Sequence, residues 1–402
     1  MFYMINNIPP YIIYILVSVI AAAACSLSIP KLIILAKLKK LYDRPDNERK
    51  IHTEVVPNLG GVSIFFSSVI IASLFVGTEL GVWKYIVAAT MILFVIGIKD
   101  DLISLTPSKK FAAQILAAFI TVYFADIRLE SLHGIFGIYE LSGWYSYAFS
   151  IIGCIFVTNA FNLIDGIDGL AGSISVLCTF VLGICLALQG NHNVAIVAFT
   201  LMGAIVGFLK HNLAPAKIFM GDAGSLFIGF MISILCISFI NSFHPEQTIG
   251  SVIHTPSSAL LLALSVLFIP VFDSFRVIIS RLVDGRYPFK ADRTHLHHLL
   301  LDLGFSHTRI VTILIIANLL IISVSLMVQD YDPNLGIMTV LALAFGLFGI
   351  LYIMRRSQLA KTEVQKSGTR ERTINYANPT VRVNGAKVDL EPSIRTIAHE
   401  GS

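Results

Sequence analysis

Apolar residues form long runs separated by short polar blocks, and this pattern predicts a bundle of membrane-spanning helices. A spanning helix needs roughly 20 mostly apolar residues, and about eleven stretches of the chain approach that length. Several are short or contain glycine, which a membrane tolerates where neighbouring protein or water satisfies the backbone. The predicted spans are residues 10–36, 59–80, 82–99, 111–126, 146–164, 169–189, 192–209, 224–241, 257–280, 309–329 and 334–354.

Composition supports the same fold class. Of the 402 residues, 55% are hydrophobic and 13% are charged, and the mean hydropathy is +0.78. Because a soluble domain needs far less apolar surface to form its core, we predict an all-α polytopic membrane protein. All five cysteines fall inside apolar runs, so neither disulfides nor a Cys-bound metal is expected. The first apolar run lacks a cationic flank and a cleavage site, which favours a retained helix over a signal peptide.

The distribution of Lys and Arg predicts the orientation. An odd number of spans puts the two termini on opposite sides of the membrane, and we place the N-terminus outside. The outer loops then hold only Lys84 and Arg128, whereas nearly every other Lys and Arg falls inside, as the positive-inside rule requires. On this assignment the inner segments are residues 37–58, 99–110, 210–223, 281–308 and the tail after 355.

Two segments outside the spans have patterns of their own. Residues 355–402 are polar and charged with little periodicity, which predicts a disordered cytoplasmic tail after a transmembrane domain of residues 1–354. Residues 127–145 alternate apolar and polar positions around two glycines, which predicts a short hairpin on the outer side.

Five dense polar blocks all fall on the predicted inner side, and different helices contribute them. Ionisable residues at the membrane edge are functional-site hypotheses by default, so the five blocks predict one shared site. The first block, residues 43–61, places Arg49 and His52 before a Gly-Gly pair that opens a helix. Cations beside a helix N-terminus suit a phosphate, although this segment alone favours a basic loop that sets the topology.

The second block puts Asp100 and Asp101 at the inner end of a span, followed by Lys109 and Lys110. Adjacent carboxylates repel each other unless a cation or metal offsets them. The pair therefore suits a general base or a magnesium neighbourhood, and a solvated helix end is the alternative.

The third block carries Asn159, Asn162, Asp165 and Asp168 in an Asp-Gly-rich segment. The last three are spaced three residues apart, so on a helical turn they would line one face. Carboxylate and amide oxygens bind hard cations and nucleobases. A simple turn between two spans would not need these side chains, so we favour a functional site here.

The fourth and fifth blocks offer a metal ligand and an anion contact. Asp222 lies between glycines where a loop meets a span, so free N–H groups there could hold an anion while Asp222 binds its magnesium. Further along, His295, His297 and His298 follow Arg293. These histidines could bind zinc or a phosphate, and the neighbouring arginines favour the phosphate. A turn at the start of the span and a solvated histidine loop are the alternatives.

Together the blocks resemble the polyprenyl-phosphate N-acetylhexosamine-1-phosphate transferase family (glycosyltransferase family 4), with the WecA/TagO-like branch most similar. The resemblance covers about residues 40 to 300. Asp100-Asp101 matches the family's Asp-Asp pair, and Asn159 to Ala171 matches its Asn-Ala-x-Asn-x-x-Asp-Gly-x-Asp-Gly-Leu-Ala segment. Gly221 to Ser225 matches Gly-Asp-x-Gly-Ser, and His295 to His298 matches His-x-His-His. The last form separates this branch from phospho-MurNAc-pentapeptide transferase, which is the alternative relative.

The resemblance implies roles for these residues. It implies that Asp222 with Asn162 holds Mg²⁺, with Mn²⁺ as the alternative, on the donor diphosphate. It implies that Asp165 and Asp168, with one of the two lysines of the second block, hold the uridine side. The histidine motif and nearby arginines would then contact phosphate or sugar.

The implied reaction moves a sugar 1-phosphate from a UDP-sugar, by resemblance UDP-N-acetylglucosamine, to undecaprenyl phosphate, with release of UMP. Such a step would initiate cell-envelope polysaccharide synthesis at the cytoplasmic membrane face. We expect direct attack by the lipid phosphate, kept deprotonated by Asp100 or Asp101; a covalent aspartyl-phosphate route uses the same residues and stays open.

The expected partners are polyprenyl phosphate, the UDP-sugar and the lipid bilayer. Homodimerisation is left open, and nucleic acid is not expected. A transporter would place polar residues at the midplane of several helices or on both faces, with a repeated half. No repeat of that kind is found in the sequence, and the acids cluster on one side, so the enzyme is favoured.

Overall fold

The computed structural model describes residues 8–39, 56–77, 81–243, 253–286, 294–377, 380–383 and 386–389. It divides the chain into two compact units, residues 1–346 and 347–402. The helices are α1 (Pro10–Lys39), α2 (Gly60–Phe75), α3 (Trp83–Ile103), α4 (Pro107–Phe119), α5 (Trp144–Ile164), α6 (Leu170–Leu188), α7 (His192–Asn212), α8 (Gly221–Asn241), α9 (Pro256–Val266), α10 (Phe268–Val283), α11 (Leu296–Asp302), α12 (His307–Met327) and α13 (Pro333–Ala377).

The long apolar helices make this a multi-pass membrane protein. Among the described residues, seven helices are long and apolar enough to cross a membrane, and the number is eight if α9 and α10, which meet at 72°, form one broken span. All eleven predicted stretches contain helix. However, α2 and α4 are short, and α3 ends in Lys99, Asp100 and Asp101. The all-helical membrane class is confirmed, whereas eleven spans and the orientation stay predictions.

Helix α8 is the centre of the first unit. In the apolar 18-residue stretch of α8, 94% of the residues are buried, against 33% in the corresponding stretch of α1. Its first turn is approached by the start of α2, where a Cβ on Gly61 would lie 2.2 Å from the Gly224 nitrogen. Only glycine permits this approach, and it brings the α2 and α8 N-termini together. Backbone hydrogen bonds from Gly60 N to Phe219 O and from Gly61 N to Met220 O (2.9 and 2.8 Å) hold the contact.

The two segments outside the predicted spans have regular structure. Ser131 and Glu140 form an antiparallel bridge, which confirms the hairpin within residues 127–145. After the apolar part of α13, the helix continues to Ala377, and β1 (Thr380–Val383) pairs antiparallel with β2 (Ala386–Asp389). The sequence predicts a disordered tail there, whereas the polar part of α13 contains frequent Arg together with Lys, Glu, Gln and Ala, all of which have high helix propensity.

Candidate active site

The ends of several helices meet in one polar cluster at the start of α8. Asp100 lies in the last turn of α3, Lys110 in the first turn of α4, Asn162 in the last turn of α5 and Asp222 in the first turn of α8. The Lys110 ammonium donates to Asp100 Oδ2 at 3.0 Å and to Asp222 Oδ2. This ammonium lies where two carboxylates attract a cation. The second, third and fourth polar blocks therefore share one site.

Asp101 caps helix α8. Its Oδ1 accepts from Asp222 N at 2.7 Å and its Oδ2 from Ala223 N at 3.1 Å. A carboxylate at a helix N-terminus satisfies free N–H groups and favours the helix dipole. The expectation that these N–H groups bind a ligand anion is therefore wrong, because the protein's own carboxylate occupies them. Gly221, at φ 72°, makes room, since a Cβ there would lie 2.6 Å from Asp101 Oδ2.

Two amide side chains of α5 also form hydrogen bonds at the site. Asn162 donates to Asp222 Oδ1 and to Ser225 Oγ, each at 2.9 Å. One turn earlier, Asn159 exchanges two hydrogen bonds with Gln114 of α4, at 2.7 and 3.2 Å. Asn162 therefore contacts the predicted metal ligand, whereas Asn159 joins α4 to α5.

The three-residue spacing of Asn162, Asp165 and Asp168 does not put them on one helical face, and that expectation is wrong. Helix α5 ends at Ile164, and residues 165–169 form a turn instead. Asp168 Oδ2 accepts from Ala216 N at 3.2 Å and lies 3.4 Å from His307 Nδ1, so Asp168 contacts the loop between α7 and α8 and the first residue of α12.

Asp165 differs from the other acids of the site. Within the described part of the chain, no hydrogen bond to its carboxyl is found. Burial and the nearby carboxylates of Asp222 and Asp101 raise the pKa of Asp165 to about 7. It is thus a carboxyl group, without an internal partner there, that changes its protonation state near neutral pH.

The histidine motif packs against this turn. His297 is 2% exposed, and its Nε2 would lie 2.4 Å from a Cβ on Gly166. No hydrogen-bond partner for this buried Nε2 is found among the described residues. Burial and the neighbouring His298 lower the pKa of His297 to about 4, so the ring is neutral at pH 7. The fifth block therefore joins the site through the turn that carries Asp165.

The fifth polar block begins at Asp273, to which the sequence analysis gave no role. It is buried in α10 and accepts a hydrogen bond from His295 Nδ1 at 3.0 Å. A carboxylate within an otherwise apolar run was the available signal. Its partner lies 22 residues away, so the pattern around Asp273 did not reveal the contact.

Other predicted residues lie apart from the cluster or outside the described part of the chain. Arg49, His52 and Arg293 lie outside the described residues. Lys109 is exposed, and Lys110 contacts Asp100 and Asp222 rather than the uridine-side acids. Among the described residues, no group of three or more His, Cys, Asp or Glu side chains could hold a metal ion, so zinc at the histidine motif gains no support.

Comparison with known proteins gives consistent matches. The profile of glycosyl transferase family 4 matches residues 83–240. The chain is 32% identical over 270 residues to a probable undecaprenyl-phosphate N-acetylglucosaminyl 1-phosphate transferase of Bacillus subtilis (strain 168), covering 66% of this chain and 71% of that protein. It is 30% identical over 335 residues to the undecaprenyl-phosphate alpha-N-acetylglucosaminyl 1-phosphate transferase of Escherichia coli (strain K12), covering 80% and 86%. The protein of that name from Salmonella typhimurium (strain LT2) is 31% identical over 324 residues, covering 79% and 84%.

Proposed function

Because the chain belongs to glycosyl transferase family 4, we propose that it transfers N-acetylglucosamine 1-phosphate from UDP-N-acetylglucosamine to undecaprenyl phosphate and releases UMP. The observation that carries the proposal is the cluster of Asp100, Lys110, Asn162 and Asp222 at the start of α8. Both substrates are anionic phosphates, so catalysis needs positioning and charge neutralisation. The names of the relatives supply the substrates.

The cluster fits a magnesium ion. Mg²⁺ binds through one or two carboxylates, with substrate phosphates and water completing its shell, so it does not need three acidic ligands. The carboxylates of Asp100 and Asp222 attract cations, and the Lys110 ammonium lies between them. Asp222 and Asn162 would hold the ion, with Asp100 beside them. When bound, Mg²⁺ neutralises charge on the donor diphosphate and stabilises the UMP leaving group; Mn²⁺ is the alternative.

Four side chains of the protein have further roles in the proposed reaction. Lys110 neutralises anionic charge between the two carboxylates, and Asp101 fixes the first turn of α8 so that Asp222 keeps its place. Asp165, without an internal hydrogen bond in the described part of the chain, is suited to accept the uracil imide N–H. We assign a phosphate or sugar oxygen to His297 Nε2, because this nitrogen has no hydrogen-bond partner among the described residues.

The lipid phosphate attacks the sugar-bound phosphorus directly in this proposal. A phosphate monoester is already a nucleophile, so a covalent relay is unnecessary. Asp100 accepts from Leu105 N at 2.5 Å and from Lys110, and Asp101 accepts two N–H groups. In this proposal Asp100 places charge and Asp101 holds the first turn of α8.

We also propose eleven membrane segments with the site at the cytoplasmic face. Support comes from the helix found in each predicted stretch and from the concentration of Lys and Arg on one side. The proposed location is therefore the cytoplasmic membrane of a bacterium. The names of the bacterial relatives give undecaprenyl phosphate as the lipid.

The test follows UMP release by purified protein in detergent with UDP-N-acetylglucosamine, undecaprenyl phosphate and Mg²⁺. We expect UMP only when lipid and metal are present. Asp222→Asn should lower the rate by about 10²–10³-fold, the range for removing one preorganised charge-stabilising group. Asp126→Asn, which changes an exposed carboxylate beside Arg128, is the matched control and should retain the rate. If folded protein releases no UMP from any UDP-N-acetylhexosamine, the proposal is wrong.

A further inference from the structure

Asp273 is a buried carboxylate that joins two elements far apart in sequence. Its side chain is 2% exposed. Oδ2 accepts from His295 Nδ1 at 3.0 Å, and Oδ1 accepts from Arg276 Nη2 at 2.7 Å. The Leu296 nitrogen donates to the same carboxylate, at 3.0 Å from Oδ1 and 3.2 Å from Oδ2. A buried charge is costly unless paired and hydrogen-bonded, and these partners meet that need.

These contacts fix the start of α11. His295 occupies the N-cap position but its side chain makes no cap hydrogen bond, so the first N–H groups of the helix need another acceptor. Asp273, in α10, accepts the first of these, the Leu296 N–H. Arg276 also donates to Thr294 O at 2.6 Å, which holds the residue before the cap. Two side chains of helix α10 therefore hydrogen-bond to three consecutive residues, Thr294 to Leu296; we call this set of contacts the grip.

His297 lies next to these contacts. It follows the gripped residues directly, and its ring packs on Gly166 in the turn after α5. Its Nε2 is buried against Gly166 and has no hydrogen-bond partner among the described residues, so its hydrogen-bonding capacity is unused there. The Asp273 carboxylate also favours a proton on His295 Nδ1, which sets the orientation of that ring. Without these hydrogen bonds, the rings of His295 and His297 would no longer be held in one position.

We propose that Asp273 is a positioning residue for the transfer: it holds the His295–His298 segment so that His297 Nε2 faces the turn of residues 165–169 and meets an oxygen of the sugar diphosphate. This inference rests on the proposed function. Asp273 itself touches no substrate and acts through the histidines.

The first test does not depend on catalysis. Hydrogen exchange measured by mass spectrometry on the metal-free, substrate-free protein reports how firmly residues 294–302 are held. We expect exchange in this segment to rise at least about tenfold in Asp273→Asn. Asp284→Asn is the matched control, because Asp284 lies at the exposed C-terminal end of α10 and pairs with Arg286. It should leave the exchange unchanged. Unchanged exchange in Asp273→Asn would overturn the proposal.

The second test asks whether Asp273 acts through His297. Asp273→Asn should lower kcat/KM for the UDP-sugar by about 10- to 100-fold, the range for carboxylates that orient a functional histidine. In a His297→Gln background the same change should cost less than about threefold, because residues acting as a unit are not additive. A purely structural role would give independent losses that multiply, and this outcome would also overturn the proposal.

Two further arms keep the outcomes separate. If Asp273→Asn does not fold, Arg276→Gln removes the donor to Thr294 O and should raise exchange in residues 294–302 while lowering kcat/KM. If Arg276→Gln changes neither quantity, the grip does not exist. If wild-type protein transfers nothing but the exchange result holds, the proposed function fails and the grip by α10 stands as structural, which overturns the catalytic part of the inference.

Discussion

Adding one methyl group at Gly221 tests whether Asp101 holds the first turn of α8. Gly221 has φ 72°, and a left-handed conformation costs a residue with a Cβ about 1–2 kcal/mol. That Cβ would also lie 2.5 Å from Asn58 O and 2.6 Å from Asp101 Oδ2, so the carboxylate must move. Losing one of its hydrogen bonds to the backbone costs about 1.5–3 kcal/mol. Gly221→Ala should therefore lower the free energy of unfolding by about 2.5–5 kcal/mol.

Gly190→Ala is the matched control, because Gly190 has φ 78° and nothing lies within 4 Å of the position of its Cβ. It should show only the backbone cost of about 1–2 kcal/mol. Unfolding titrations in mixed detergent micelles measure both values. UMP release should fall at least about 100-fold in Gly221→Ala, because Asp222 moves with the turn, and should persist in Gly190→Ala. Equal stability losses for the two variants would refute the account of the Asp101 cap.

Three other predictions concern protonation and metal binding. The raised pKa of Asp165, about 7 because of burial and the carboxylates of Asp222 and Asp101, exceeds the unfolded value near 4. The stability it contributes is therefore lost as pH rises from about 4 through 7, and unfolding of metal-free Asp165→Asn should show a flatter pH dependence. Because burial and His298 lower the pKa of His297 to about 4, its contribution is lost as pH falls from about 6.5 to 4. His297→Gln should remove that loss in acid unfolding curves. Asp222→Asn should weaken Mn²⁺ binding about tenfold or more in an electron paramagnetic resonance titration, and unchanged affinity would contradict its role as a ligand.

The helices were predictable because the bilayer forces backbone groups to pair within each apolar segment. Hydropathy alone could not decide which segments span. The end of α3 carries Lys99, Asp100 and Asp101. These charged residues lower the mean hydropathy of the segment, and the two aspartates also belong to the site. The bend between α9 and α10 falls just before Pro270, which has no N–H to donate to Val266 O, and this carbonyl accepts from Asn318 Nδ2 at 3.2 Å instead.

The site was predictable as a set of residues but not as a set of contacts. Short motifs identified Asp100, Asn162 and Asp222, because charges at a membrane edge are costly and stand out. Lys110 pairs with Asp222 across 112 positions, and Asp101 caps a helix that starts 120 positions later; neither contact has a local signal. The relative placement of Asn162 and Asp165 depended on where α5 ends, which the Asp-Gly turn decides.

The central claim is that the sugar keeps its phosphate during transfer. UDP-N-acetylglucosamine labelled with phosphorus-32 in the β-phosphate, incubated with the protein, undecaprenyl phosphate and Mg²⁺, should transfer its label into the organic-phase lipid. The same donor labelled in the α-phosphate should leave its label in the aqueous phase as UMP. If the lipid instead acquires the sugar without the β-label and the aqueous product is UDP, the protein transfers a sugar rather than a sugar 1-phosphate, and the account is contradicted.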